Sequence, residues 1–113
     1  MDAPIPADWR QPVCRILSSH SLANILIRQR ALRDWQALFP GAFTYELVDV
    51  FLEVLSNRTQ TGRLVPTMNE PGVAYEFIFE HANRTLYGKV NLLPSGKAVI
   101  IYSAHRPLKG ETL

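Results

Sequence analysis

A change of hydrophobic period is what most limits how this chain can fold. From Val13 to Leu55 apolar residues recur at about the 3.6-residue spacing of a helix face, and from Val73 to Ser103 they alternate at about two residues, as in a strand with one buried face. Helices first and strands afterwards is the pattern of an α+β chain, not of alternating βα units. With 113 residues, 47% apolar and 19% charged, the chain has the size and content for one core. The expectation is a single domain, residues 1–113, with N-terminal helices packed on one face of a three- to four-stranded antiparallel sheet.

Residues 1–11 contain Pro4 and Pro6, lack periodicity, and read as an arm that Trp9 ties to the body. In the helical half, 12–56, Gln11-Pro12 opens a short turn carrying Val13, Ile16 and Leu17, and Ser18 and Ser19 interrupt it. Ser19 or Ser21 caps a second helix whose stripe is Leu22, Ile25, Leu26, Leu32, Trp35 and Phe39, ended by Pro40-Gly41. Arg28, Arg30 and Arg33 lie largely off that stripe. Thr44 caps a third helix to about Leu55, burying Leu47, Val48, Phe51, Leu52 and Leu55.

The sheet half, 63–103, opens with a short edge strand at Arg63–Thr67 and an Asn69-Glu70-Pro71-Gly72 turn. Strands follow at 73–80, 84–92 and 98–103, joined by links short enough to make an antiparallel meander with Arg84–Leu92 at its centre. Leu86, Val90 and Leu92 face one way; Tyr87, Lys89 and Asn91 face the other. Tyr75, Phe77 and Phe79 either meet the helices or form an exposed aromatic face. Residues 104–113 read as a C-terminal loop.

No apolar run approaches the roughly 20 residues that cross a bilayer, and MDAPIPADWR is not a secretory leader, so a cytoplasmic protein without membrane contact is expected. Cys14 is the single cysteine, and with only His20, His81 and His105 no tetrahedral zinc pattern can be written; neither metal nor cofactor is expected. Nucleotide-binding glycine loops, Gly-x-Ser-x-Gly elbows and His-Glu-x-x-His helices are absent.

The net charge is only +2, but it is unevenly spread. Residues 10–33 carry five arginines (10, 15, 28, 30 and 33) and no acid, residues 46–80 carry six acids against two arginines, and residues 81–113 carry five cations against one acid. If the fold joins the two basic ends, they make a cationic surface suited to phosphates; otherwise the charge is a solubilising shell.

Two segments hold usable chemistry. Tyr87, Lys89 and Asn91 share one face of the central strand, either a wet surface or a ligand platform. Tyr102 to Gly110 gathers His105, Arg106 and Lys109 where the last strand ends. Histidine exchanges protons near neutral pH and arginine grips a phosphate through two hydrogen bonds. His81, in a hairpin turn, and His20, at a helix start, read as capping or solvent-facing residues.

His20 with Arg28 and Arg30, a further helix, and then "YEFIF", "RTLYGKVNL" and "AVIIYSAHRP" resemble the small ribonuclease toxins of toxin-antitoxin systems in the RelE and BrnT superfamily, over roughly residues 20–109. The closing "VIIYSAHRP" is similar to the last-strand segment of the BrnT-like branch, with His105 and Arg106 in the basic position. The resemblance implies helices on an antiparallel sheet, RNA as substrate, an antitoxin-like protein partner, and metal-independent cleavage by 2′-hydroxyl attack. His105 would be general acid or base, Lys89 and Arg106 would hold the phosphate, and Tyr87 would donate a hydrogen bond or stack on a base. Arg28, Arg30, Asn91 and Lys109 would extend the substrate track. Such toxins are usually strongly basic, so at +2 RNA binding requires the basic segments to converge. The rival reading is a non-catalytic protein-binding module, a phage or accessory protein whose sheet and helices dock another chain.

Overall fold

The structure, a computed structural model, describes residues 3–66 and 69–108. Its elements are β1 (Ala3–Pro4), α1 (Ala7–Ser18), β2 (Ile25–Ile27), α2 (Gln29–Leu38), α3 (Thr44–Ser56), β3 (Thr61–Val65), β4 (Val73–His81), β5 (Arg84–Leu92) and β6 (Val99–His105). The fold is α+β, with three helices and an open, mixed six-stranded sheet in the order β1-β3-β4-β5-β6-β2. None of the described helices is long and apolar enough to cross a membrane.

The alternating aromatics of β4 meet the helices. Phe77 and Phe79 lie 5.6 and 5.5 Å, ring to ring, from Phe51 of α3, and Tyr75 lies 5.0 Å from Trp9 of α1. Phe51, Phe77, Leu86, Val90 and Ile101 are completely buried, each contributing roughly 1.5–3 kcal/mol by leaving water. β4 and β5 are joined by Ala82 and Asn83, both at positive φ (51° and 63°), the backbone of a two-residue turn that matches strand twist. β5 then runs between β4 and β6, as its alternation requires.

The sheet is larger than the expected three or four antiparallel strands because both of its edges come from the N-terminal half. Ile25–Ile27, expected inside the second helix, is a strand parallel to β6, with Ile25, Leu26 and Ile27 opposite Val99, Ile100 and Ile101. Two of these three consecutive aliphatics are β-branched and so favour a strand, and pairing with β6 buries Ile25 while Leu26 stays exposed. The helix starts only at Gln29. Ser19 and Ser21 therefore cap no second helix; Ser19 closes α1 instead, its Oγ donating to the Ile16 carbonyl at 2.6 Å.

The arm is also more ordered than its prolines suggest. Ala3–Pro4 pairs with β3, and α1 begins at Ala7 and runs through Pro12 rather than opening there. Pro12 removes one helical hydrogen bond, which burial of Trp9, Val13, Ile16 and Leu17 offsets. β3 is displaced to 61–65, and Thr67 of the expected edge strand lies outside the described residues. β6 extends to His105, so His105 belongs to the strand and not to a C-terminal loop.

Candidate functional site

The site arises from a slip in one strand pair. β5 and β6 are antiparallel from Leu92–Val99 to Tyr87–His105, but Val90 faces Ile101 while the next residue, Lys89, faces Ser103, leaving Tyr102 as an extra residue. A bulge of this kind inverts the facing of everything beyond it. In unbroken alternation Ile101, Ser103 and His105 would all point to the helices. With the bulge, Ala104 takes the inward place opposite Gly88 and is fully buried, and His105 joins Lys89 on the open face.

β2 brings the first basic segment to the same place. The Arg28 amide donates to the Ile101 carbonyl at 3.0 Å, continuing the β2–β6 ladder, and Arg28 is the N-cap of α2 with Arg30 in its first turn. Arg28, Arg30, Lys89, Tyr102, Ser103, His105 and Leu108 line a groove of about 400 Å³. A second hollow of about 300 Å³ shares Arg30, His105 and Leu108 with it and adds Arg106 and Asp34. Lys89, His105 and the two arginines of the N-terminal segment thus converge, with Arg106 at the adjoining hollow.

Most of this positive charge is available to a ligand. Arg30 is only loosely engaged, its Nε 3.9 Å from Asp34, and Lys89 and Arg106 have no ion-pair partner among the described residues. The Lys89 ammonium lies 5.9 Å from the centre of the Tyr102 ring. Arg28 differs: its Nη2 donates to Glu70, its guanidinium lies 5.4 Å from the Tyr102 ring centre, and the Tyr102 hydroxyl donates to the other oxygen of Glu70. Burial, reinforced by that carboxylate, holds the Tyr102 phenol above the usual tyrosine range.

A hydrogen bond and a ring stack are among the contacts that hold His105. Its Nδ1 lies 2.6 Å from the Arg106 carbonyl; a carbonyl only accepts, so Nδ1 carries the proton and the neutral ring has its lone pair on Nε2. The Tyr87 ring stacks on it at 5.3 Å and 28°. Tyr87 itself is only 2% exposed, and its hydroxyl donates at 2.6 Å to Glu76, which also accepts from Arg63 at 3.0 Å. Tyr87 is therefore the floor under His105 rather than a groove-lining donor.

Asn91 is fully buried, its amide donating at 3.0 Å to the Pro71 carbonyl, so it pins the 69–72 turn to the sheet; it is not a lining residue of the groove but lies behind Tyr102, which is. Lys109 lies outside the described residues. His20 bonds Asp49 at 2.5 Å and His81 stacks on Trp35, both away from the groove lining. Among the described residues no cluster of three His, Cys, Asp or Glu side chains is arranged to hold a metal. Burial pushes the Cys14 thiol up, disfavouring the thiolate.

Sequence reasoning did not single out Glu70, which reads there only as part of a Pro-Gly turn, or Tyr102 and Ser103, whose facing depends on the bulge. The groove combines a fixed imidazole, three cationic side chains and a phenol, a set able to bind a phosphate and move a proton beside it. Comparison of the chain with family models, with curated proteins and with solved structures finds no match.

Proposed function

We propose that this protein is a toxin-type ribonuclease that cleaves RNA in the groove between β2, β5 and β6. The supporting observation is the convergence of Arg28, Arg30, Lys89 and His105, from opposite ends of the chain, on one groove of about 400 Å³. In this reading the scissile phosphate lies against Lys89 and Arg30, and Arg106 holds a neighbouring phosphate from the adjoining hollow. His105 Nε2 takes the proton of the ribose 2′-hydroxyl as that oxygen bonds to phosphorus. The bond from phosphorus to the 5′-oxygen breaks, leaving a 2′,3′-cyclic phosphate, and the 5′-oxygen takes its proton from a water molecule, while the imidazolium of His105 later returns its proton to solvent. The cations stabilise charge that grows on the phosphate oxygens in the transition state. No step uses a metal or a cofactor. A neutralising partner protein would present carboxylates to the same groove.

The test is cleavage of a labelled RNA oligonucleotide by the purified chain, with thermal melting run in parallel. His105→Ala is expected to slow cleavage by roughly 10²- to 10⁴-fold, the span for losing a general acid or base, while the protein stays folded. Lys89→Ala is expected to weaken RNA binding. An unchanged rate in folded His105→Ala removes His105 from the mechanism, and a wild-type protein that binds RNA without cutting it leaves a binding module in place of an enzyme.

A further inference from the structure

Glu70 stands out because it does not line the groove yet bonds two residues that do, Arg28 and Tyr102. It comes from the acidic middle of the sequence, 42 residues from Arg28, and reaches across the open sheet face to it. Its two oxygens are each matched by a donor: Arg28 Nη2 meets Oε2 and the Tyr102 hydroxyl meets Oε1. Two donors set for two oxygens of one anion is also how non-bridging phosphate oxygens are held. Asp34, an acid of the adjoining hollow, makes only a one-turn contact at 3.9 Å with Arg30 on its own helix.

We propose that the Arg28–Tyr102 pair is a phosphate subsite that the chain's own Glu70 carboxylate occupies, so that RNA enters by displacing Glu70. This rests on the ribonuclease reading for the nature of the ligand, and adds a self-competing anion to it. The turn need not move. Asn91 holds the Pro71 carbonyl at 3.0 Å, and Gly72, at φ +126°, packs so close that a Cβ there would lie 2.5 Å from the Leu92 carbonyl and the Asn91 side chain. The backbone is anchored independently of Glu70, whose side chain is 34% exposed and has solvent to swing into.

Competition of this kind favours polyanions. A single phosphate trades one carboxylate for one phosphate at Arg28, whereas RNA gains Lys89 and Arg30 through neighbouring phosphates in the same exchange. Apparent affinity falls by the fraction of molecules with the subsite open.

The experiment measures binding of a single-stranded RNA oligonucleotide, and separately of inorganic pyrophosphate, to the full chain. The variants are wild type, Glu70→Gln, Arg28→Ala, the double variant, and Glu46→Gln as a control for net charge. Glu70→Gln is expected to bind RNA about 2- to 10-fold more tightly than wild type, with the gain lost in the Arg28→Ala background and absent in Glu46→Gln. Wild-type affinity in a folded Glu70→Gln protein, or an equal gain in Glu46→Gln, overturns the proposal. If RNA binds neither protein but pyrophosphate binds Glu70→Gln more tightly, the subsite stands and the ribonuclease reading falls. If neither ligand binds either protein, the subsite falls too.

Discussion

Ala82 and Asn83 show how much a single residue can decide, because both occupy left-handed backbone at the β4–β5 turn. Asparagine tolerates that region through local hydrogen bonding, but an alanine there costs about 1 kcal/mol, its Cβ crowding the following carbonyl. Ala82→Gly is expected to raise stability by about 0.5–1 kcal/mol, read as a higher urea midpoint at unchanged slope. The tight connection at His81-Ala82-Asn83 is legible in the sequence; the alanine at positive φ is not, since nothing about Ala announces it. His105 is legible as a chemistry-bearing residue, but its tautomer depends on the Arg106 carbonyl 2.6 Å away.

At the level of elements, β4 and β5 were the readable part. Their alternation survives because each residue's facing follows from its neighbour's, and the aromatics of β4 have α1 and α3 to pack against. Gly88 marks where that packing is tightest: a Cβ would stand 2.8 Å from the Phe77 ring and 3.0 Å from Phe51, both immobile in the core. Gly88→Ala is therefore expected to destabilise the protein by about 1–3 kcal/mol, seen as a lower melting temperature. β2 was unreadable for a matching reason. Three residues carry too little pattern to separate strand from helix, and Ile25–Ile27 is a strand because β6 lies beside it. The bulge at Tyr102 exists only in the pairing of β5 with β6, so plain alternation along the sequence would turn His105 inward.

For the molecule as a whole, what matters is that two basic segments meet although the total charge is +2. The parallel β2–β6 pair sets Arg28 and Arg30 beside Lys89 and His105, and the acidic middle segment contributes Glu70 to the same surface. RNA affinity should then fall with salt, and Lys89→Ala should reduce the slope of log K against log salt by about 0.7, the value for one lost contact to a single strand. Fluorescence anisotropy over a sodium chloride series measures this; affinity indifferent to salt would mean that the groove does not track phosphates.

The α+β class, the helix from Thr44, strands β4 and β5, and the aromatic row on Tyr75, Phe77 and Phe79 follow from the sequence alone. Each rests on a period that repeats within one segment and so needs no knowledge of a neighbour. The two extra strands, the facing of His105, the burial of Asn91 and the hold of Glu70 on Arg28 belong to the tertiary structure. All four are contacts between segments far apart in the chain, where what decides is which backbone or side chain arrives alongside.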